Sequence, residues 1–139
     1  MIWFRPYHID ELHSLGENTM GAHLGMEFVE IGEDFLKAKM PVNSRTKQPA
    51  GLLHGGASVA LAETLGSVAA WMCLDNEKFY PVGLEINANH IRSVTKDFVY
   101  GTATVLHLGK TTQVWDIKIR NELEKLVCVS RITMAVLKK

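Results

Sequence analysis

The stretch Gln48-Pro49-Ala50-Gly51-Leu52-Leu53-His54-Gly55-Gly56-Ala57 leads into an apolar run that continues to Leu74. This run contains no proline, is rich in alanine and leucine and is too long for a strand, so it predicts a buried helix. Glu63 is the only residue with a formal charge between Lys47 and Asp75. A carboxylate in apolar surroundings is costly unless it is paired, solvated or shifted in pKa, and no Lys or Arg lies three or four residues away. Glu63 is therefore the first candidate for a functional residue.

Small residues surround Glu63 on the predicted helix, at spacings of three, four or seven: Gly56, Ala60, Ser67 and Ala70. This face can pack closely on a sheet or leave a slot for a thin ligand. At the start of the helix, around 54–56, free backbone N–H groups and the positive end of the dipole can bind an oxyanion. An oxyanion site followed two turns later by a carboxylate is suited to acyl transfer.

Six strands are predicted around this helix, at 22–31, 35–40, 82–90, 98–106, 113–120 and 126–137, with turns at 32–34, 109–110 and 121–122. In the third strand, one apolar face is predicted from the alternation of Val82, Leu84, Ile86 and Ala88 with polar residues. A short helix is predicted at 9–15, capped by Asp10 and ended by Gly16, where it covers an open end of the fold. Six strands with one long helix inserted after the second form an α+β pattern.

Composition favours one domain, 1–139, with a sizeable core. Fifteen basic and fifteen acidic residues balance, so no charge field indicates a nucleic acid or a membrane as partner. The apolar run 57–74 is interrupted by polar residues, and the N-terminus lacks the pattern of a signal peptide. Cys73 and Cys128 are too few for a disulfide framework, and the six histidines show no metal-ligand spacing. These features predict a cytoplasmic protein with reduced thiols and no metal.

Four blocks of the sequence resemble the hotdog-fold acyl-CoA thioesterases of the PaaI type. The branch is that of the Arthrobacter-type 4-hydroxybenzoyl-CoA thioesterase and 1,4-dihydroxy-2-naphthoyl-CoA hydrolase. The blocks are Arg45 to Ser58 (RTKQPAGLLHGGAS), Ala62 to Ser67 (AETLGS), Val82 to His90 (VGLEINANH) and Leu106 to Gly109 (LHLG). The resemblance implies one antiparallel sheet of about six strands wrapped around the long helix. It also implies hydrolysis of an acyl-CoA without a cofactor, coenzyme A being part of the substrate.

The resemblance also implies a role for each catalytic candidate. Glu63 either attacks the thioester carbonyl or activates a water, and both routes stay open. Gly55 donates its N–H to the oxyanion, and Gln48 contacts the substrate near the carbonyl. His54 supports the loop or the carbonyl site, and Ser67 hydrogen-bonds Glu63 or the attacking water. The structural alternatives are a tight helix start for Gly55, a backbone carbonyl as partner of His54, and back-bonding within the helix for Ser67.

A second set of residues is expected, by the same resemblance, to bind the substrate: Val82, Gly83, His90, Arg92, Ser93, His107, Gly109 and Lys110. Arg92 and Lys110 are placed near the phosphates of coenzyme A. Ala50 stands where the family has a large aromatic residue, which leaves the acyl specificity open. The implied assembly is a homotetramer of two dimers. In each dimer the loop with Gln48, His54 and Gly55 faces Glu63 and Ser67 of the other subunit.

Three other functions are compatible with a hotdog fold. A hydratase or dehydratase relies on an aspartate–histidine pair at the helix start, and no acid precedes His54 here. A non-catalytic acyl-CoA-binding module would use Glu63 only as a ligand contact. A thioesterase for mischarged carrier proteins would share the motif. Among acyl groups, a dihydroxynaphthoyl group of menaquinone synthesis and a benzoyl group both fit.

Overall fold

Six antiparallel strands and one long helix form the protein, which is described over residues 1–139 by a computed structural model. In chain order the elements are α1 (Ile9–Leu15), α2 (Met20–His23), β1 (Glu27–Ile31), β2 (Phe35–Pro41), α3 (Gly55–Met72), β3 (Phe79–His90), β4 (Phe98–Leu108), β5 (Thr112–Arg120) and β6 (Leu126–Lys138). The sheet order is β1-β2-β4-β5-β6-β3. The predicted α+β architecture is therefore confirmed, and β3 lies at one edge of the sheet.

The helix α3 packs across the sheet and supplies the centre of the core. Leu61, Ala62, Leu65 and Ala69 are completely buried on its inner face. The facing strands present apolar side chains that are equally buried: Ala103, Trp115, Ile117, Ile119 and Ile132. This arrangement explains the long apolar run in the sequence, because most of the helix surface is removed from water.

Gly66 lies where α3 packs closely on β6, since a Cβ atom at this position would lie 2.4 Å from Cγ2 of Ile132. We expect Gly66→Ala to lower the free energy of unfolding by about 1–3 kcal/mol, although alanine favours helices. Gly16→Ala is the control, because its new Cβ would meet nothing closer than 3.5 Å. Urea unfolding of both variants measures the effect; equal midpoints would contradict close packing at Gly66.

The N-terminal region differs from the prediction in two respects. The first strand begins at Glu27 rather than at Ala22, because 20–23 form the short helix α2. Thr19 caps this helix, and its side chain accepts a hydrogen bond from the N–H of Ala22. In α1 the capping side chain is that of Glu11, which accepts from the N–H of His8 at 2.9 Å, and Asp10 lies inside the first turn.

The strand β3 contains a bulge that changes which side chains face α3. Gly83 pairs with Met134 and Ile86 pairs with Ile132, so Leu84 is the extra residue. Met134 and Ile132 are core residues, and residues paired across antiparallel strands share a face. Gly83 and Ile86 therefore both face the helix. The predicted regular alternation through Leu84 is wrong, and this leucine is 61% exposed.

The remaining boundaries agree with the predictions within a few residues. Gly16 is the C-cap of α1, and the hairpin turns fall at 32–34, 109–111 and 121–125. Cys73 and Cys128 are free thiols, and Cys128 is buried. None of the helices combines the length and the apolarity needed to cross a bilayer.

Candidate active site

The loop before α3 is closed by its own backbone hydrogen bonds. The N–H of Gln48 donates to the carbonyl of Leu52 at 2.8 Å, and the N–H of Gly51 donates to that of Gln48 at 2.9 Å. Gly51 has a φ of 83°, a conformation that glycine adopts at no steric cost. The N–H of His54 donates to the carbonyl of Thr46 at 2.8 Å. The loop therefore holds the first turn of α3 in a defined position.

The first N–H groups of α3 are satisfied with one exception. The N–H of Gly56 donates to Nδ1 of His54 at 2.7 Å, and the N–H groups of Ala57 and Ser58 donate to the carbonyl of His54. The N–H of Gly55 has no hydrogen-bond partner in the chain. It lies at the positive end of an 18-residue helix, where an anion is stabilised. An unpaired N–H at this end of a helix is a group that can donate to an oxyanion.

Two side chains offer further donors beside Gly55. His54 accepts from the N–H of Gly56 through Nδ1, so in its neutral ring Nε2 bears the hydrogen and is free to donate. The backbone partner of His54 is thus the N–H of Gly56 and not a carbonyl group, so the structural alternative stated for this residue is wrong. As the N-cap residue, His54 satisfies an N–H group of the first helical turn. Gln48 accepts from the N–H of Ala50 through Oε1, which leaves its amide NH₂ as a donor.

The end of β3 lies over the start of α3. A Cβ atom on Gly55 would be only 2.7 Å from Nε2 of His90. The following segment stays close, because the N–H of Leu53 donates to the carbonyl of Val94 at 2.8 Å. The structure therefore brings six of the predicted residues to one end of the helix: Gln48, His54, Gly55, His90, Arg92 and Ser93. We call Gln48, His54, Gly55 and His90 the oxyanion half-site.

Glu63 lies further along α3, against the bulged part of β3. A Cβ atom on Gly83 would be 3.4 Å from Oε1 of Glu63, so the absence of a side chain leaves room for this carboxylate. Glu63 forms no ion pair and is exposed in the single chain. The hydroxyl of Ser67 lies 4.0 Å from Sδ of Met134, and it does not bond Glu63. Glu63, Ser67 and Gly83 form what we call the carboxylate half-site.

A cavity of about 660 Å³ opens beside the carboxylate half-site. Glu63, Thr64, Ser67 and Val68 of α3 form one wall. The opposite walls come from α1, α2, β1 and the segments that connect them, and their apolar residues include Leu12, Leu15, Met20, Met26 and Phe28. The sequence predicted a short helix at 9–15 over an open end of the fold, but it assigned none of these residues to a binding site. The available signal was the run of large apolar side chains at Leu12, Leu15 and Met20, of which Met20 is 62% exposed.

The predicted residues of the β4–β5 hairpin lie far from the oxyanion half-site. Gly109 closes the hairpin through its N–H to the carbonyl of Thr112 at 2.8 Å, between His107 and Lys110. At one end of β6, Ala135 pairs with Thr112 of β5 and with Val82 of β3, and further along β6 Cys128 pairs with His90. Ala135 and Cys128 are seven residues apart, which corresponds to about 24 Å along the strand at about 3.4 Å per residue. Val82 pairs with Ala135 on the sheet face that points away from α3.

The two half-sites are also separated within the chain. Gly55 and Glu63 are eight residues apart on one helix, which corresponds to about 12 Å along the axis at 1.5 Å per residue. A carboxylate and an oxyanion donor that act on one carbonyl group must both lie about 3 Å from the reacting atoms. If Gly55 and Glu63 act on one carbonyl group, a single copy of the chain does not bring them together.

Comparison with known proteins identifies the family of the chain. Residues 50–128 match the model of the Thioesterase superfamily. The chain belongs to this superfamily: it has the hotdog fold and is a thioester hydrolase. It is 53% identical over 137 residues to the 1,4-dihydroxy-2-naphthoyl-CoA hydrolase of Escherichia coli K12, covering 99% of this chain and 100% of that protein.

Solved structures of thioesterases are equally similar. A variant of a Pseudomonas aeruginosa thioesterase superposes with a TM-score of 0.99 at 45% identity over the full length of both chains. A Haemophilus influenzae thioesterase has a TM-score of 0.96 at 49% identity, covering 99% of this chain and 96% of that one. The family and the fold predicted from the four sequence blocks are thus confirmed.

Proposed function

We propose that this enzyme hydrolyses an aromatic acyl-CoA, such as 1,4-dihydroxy-2-naphthoyl-CoA or a hydroxybenzoyl-CoA, at a site shared by two copies of the chain. The proposal rests on the presence of two groups on α3. One is the N–H of Gly55 at the helix start, which has no partner in the chain, and the other is the carboxylate of Glu63, which lies beside an apolar cavity. The substrate class is supported by the Escherichia coli relative. With the dihydroxynaphthoyl substrate the reaction would be a step of menaquinone synthesis.

The edge strand β3 offers the contact between two copies. Its 12 residues present one row of unpaired backbone groups, which antiparallel pairing with a second β3 satisfies. Pairing about a two-fold axis places the His90 end of one strand beside the half of the other that contains Gly83. Because His90 lies over Gly55 and Glu63 lies over Gly83, this dimer joins the two half-sites. Two such dimers form the proposed tetramer.

The chemistry follows from the joined half-sites. The thioester oxygen accepts from the N–H of Gly55, with the amide of Gln48 and Nε2–H of His54 as further donors, so charge developing on it is stabilised. Glu63 then acts by one of two routes. It attacks the carbonyl carbon, expelling the thiolate of coenzyme A and leaving an anhydride that water hydrolyses, or it removes a proton from an attacking water. Neither route requires a metal or another cofactor.

The substrate's other parts have matching partners in the proposed dimer. Arg92 and Lys110 are exposed cations at the two ends of the sheet, and both are assigned to the phosphates of coenzyme A. Ala50 is an exposed residue of the loop that the dimer places at the mouth of the cavity. Its small side chain leaves the cavity wide there, which favours a two-ring acyl group.

Hydrolysis of a panel of CoA thioesters, followed by release of free thiol, tests the proposal. The panel comprises benzoyl, hydroxybenzoyl, dihydroxynaphthoyl, phenylacetyl and medium-chain fatty acyl thioesters. We expect turnover of the aromatic members, with the dihydroxynaphthoyl thioester best. The enzyme's own thiols should contribute little to the signal, because burial raises the pKa of Cys73 to about 12 and also raises the pKa of Cys128.

Two results would contradict the proposal. Turnover of an aryl carrier-protein thioester with none of the CoA thioesters would indicate a carrier-protein thioesterase. Binding of aromatic acyl-CoA without any turnover would indicate a non-catalytic module.

A further inference from the structure

His13 is a polar side chain on the cavity wall that lies opposite α3. Its Nε2 lies 3.1 Å from the carbonyl oxygen of Phe28. A carbonyl oxygen only accepts hydrogen bonds, so Nε2 bears the hydrogen and Nδ1 of the neutral ring is an acceptor. No group of the chain donates to Nδ1. The ring also packs against that of Phe28, with centroids 6.3 Å apart, and this contact helps to hold its orientation.

The other polar groups of the cavity, away from Glu63 and Ser67, are also acceptors or are already engaged. The hydroxyl of Thr19 donates to the carbonyl of Gly16, and that of Thr64 donates to the carbonyl of Ala60. No Lys or Arg lines the cavity. The remaining polar side chains of these walls are two carboxylates, Glu17 and Glu27, and Glu27 forms an ion pair with Lys39 at 3.5 Å. The wall opposite α3 thus offers two acceptors without a partner in the chain, Nδ1 of His13 and the carboxylate of Glu17, and no free donor.

We propose that His13 is a specificity residue, whose Nδ1 accepts a hydrogen bond from a hydroxyl group on the acyl part of the substrate. This inference rests on the proposed function and adds a residue that selects among acyl groups by a direct hydrogen bond. His13 is exposed in the single chain, so an unsubstituted ring bound against it would displace water from Nδ1 and offer no donor in its place, which weakens binding. A carboxylated acyl group would bring an anion close to Glu17 and is disfavoured more strongly.

The test compares kcat/KM for benzoyl-CoA with kcat/KM for its 2-, 3- and 4-hydroxy derivatives. We expect the best hydroxy derivative to exceed benzoyl-CoA by about tenfold in the unmodified enzyme. His13→Phe keeps a ring against Phe28 but removes the acceptor, so the ratio should fall to about one. His13→Asn, whose amide oxygen can occupy the position of Nδ1, should keep part of the preference.

His23→Phe is the matched control, since His23 belongs to the adjacent helix α2 and does not line the cavity. Its ratio should equal that of the unmodified enzyme. An equal loss for both substrates in His13→Phe would show a purely structural role and overturn the inference, as would an unmodified enzyme that has no preference. If the unmodified enzyme hydrolyses none of these compounds, the proposed function fails first and the role of His13 with it.

Discussion

Glu63→Gln should lower kcat for an aromatic acyl-CoA by about a thousandfold, since the amide can neither attack the thioester nor remove a proton from water. The side-chain volume is nearly unchanged, and Glu63 forms no ion pair whose loss would disturb α3. KM should therefore change much less than kcat, the pattern expected when an interaction is lost only in the transition state. Steady-state thiol release measures both constants.

The matched control is Glu77→Gln, at an exposed position in the turn after α3. It removes one negative charge and should leave kcat unchanged. If Glu63→Gln retained turnover within a few fold of the unmodified enzyme, Glu63 would be a structural or ligand-contact residue. Where activity is lost, a single turnover of the unmodified enzyme in isotopically labelled water tests for the anhydride. Label in the Glu63 carboxylate would show that an anhydride formed and that water attacked its Glu63 carbonyl carbon.

The central helix and the strands were predictable because each has a local pattern. The apolar run without proline predicts a helix over 57–74, and α3 spans Gly55–Met72. Both ends lie two residues earlier than predicted, because His54 caps the helix, Gly55 already has helical geometry and Cys73 is the C-cap. The proximity of Gln48, His54 and Gly55 could be predicted for the same reason, since they are close in sequence, whereas the position of His90 beside Gly55 is set by contacts between distant segments.

The bulge in β3 could not be predicted, because the residues around Leu84 alternate regularly in polarity. One inserted residue moves every later side chain to the other face, and only the pairing with β6 shows the insertion. The helix α2 has four residues, too few for a helical period to be recognised. The cavity walls that α2 helps to form were therefore not predicted either. The strand order that puts β3 at the sheet edge is likewise set by contacts between distant segments.

Gly55→Pro should lower kcat by about a hundredfold to a thousandfold while α3 stays intact. Gly55 is the first residue of the helix, where proline is favoured, and His54 has φ −68° and ψ 130°, the conformation that a residue before proline adopts. The substitution removes an N–H that has no partner in the chain. Gly55→Ala is the control. Its methyl group displaces the ring of His90, as the proline ring also does, but it keeps the N–H. Equal losses in the two variants would contradict the role of the N–H.

Copies with Gly55→Pro and copies with Glu63→Gln should restore activity when they assemble with each other. In the proposed dimer each mixed pair has one site with an intact Gly55 and an intact Glu63, and one site that lacks both. Mixed dimers purified through two different affinity tags should therefore have about half the activity of the unmodified dimer. If Gly55 and Glu63 acted within one chain, every mixed dimer would be as inactive as its parents. Gly55 and Glu63 of one chain are about 12 Å apart along α3. Recovered activity would therefore show that Gly55 of one subunit acts with Glu63 of the other, as the pairing of two β3 strands allows.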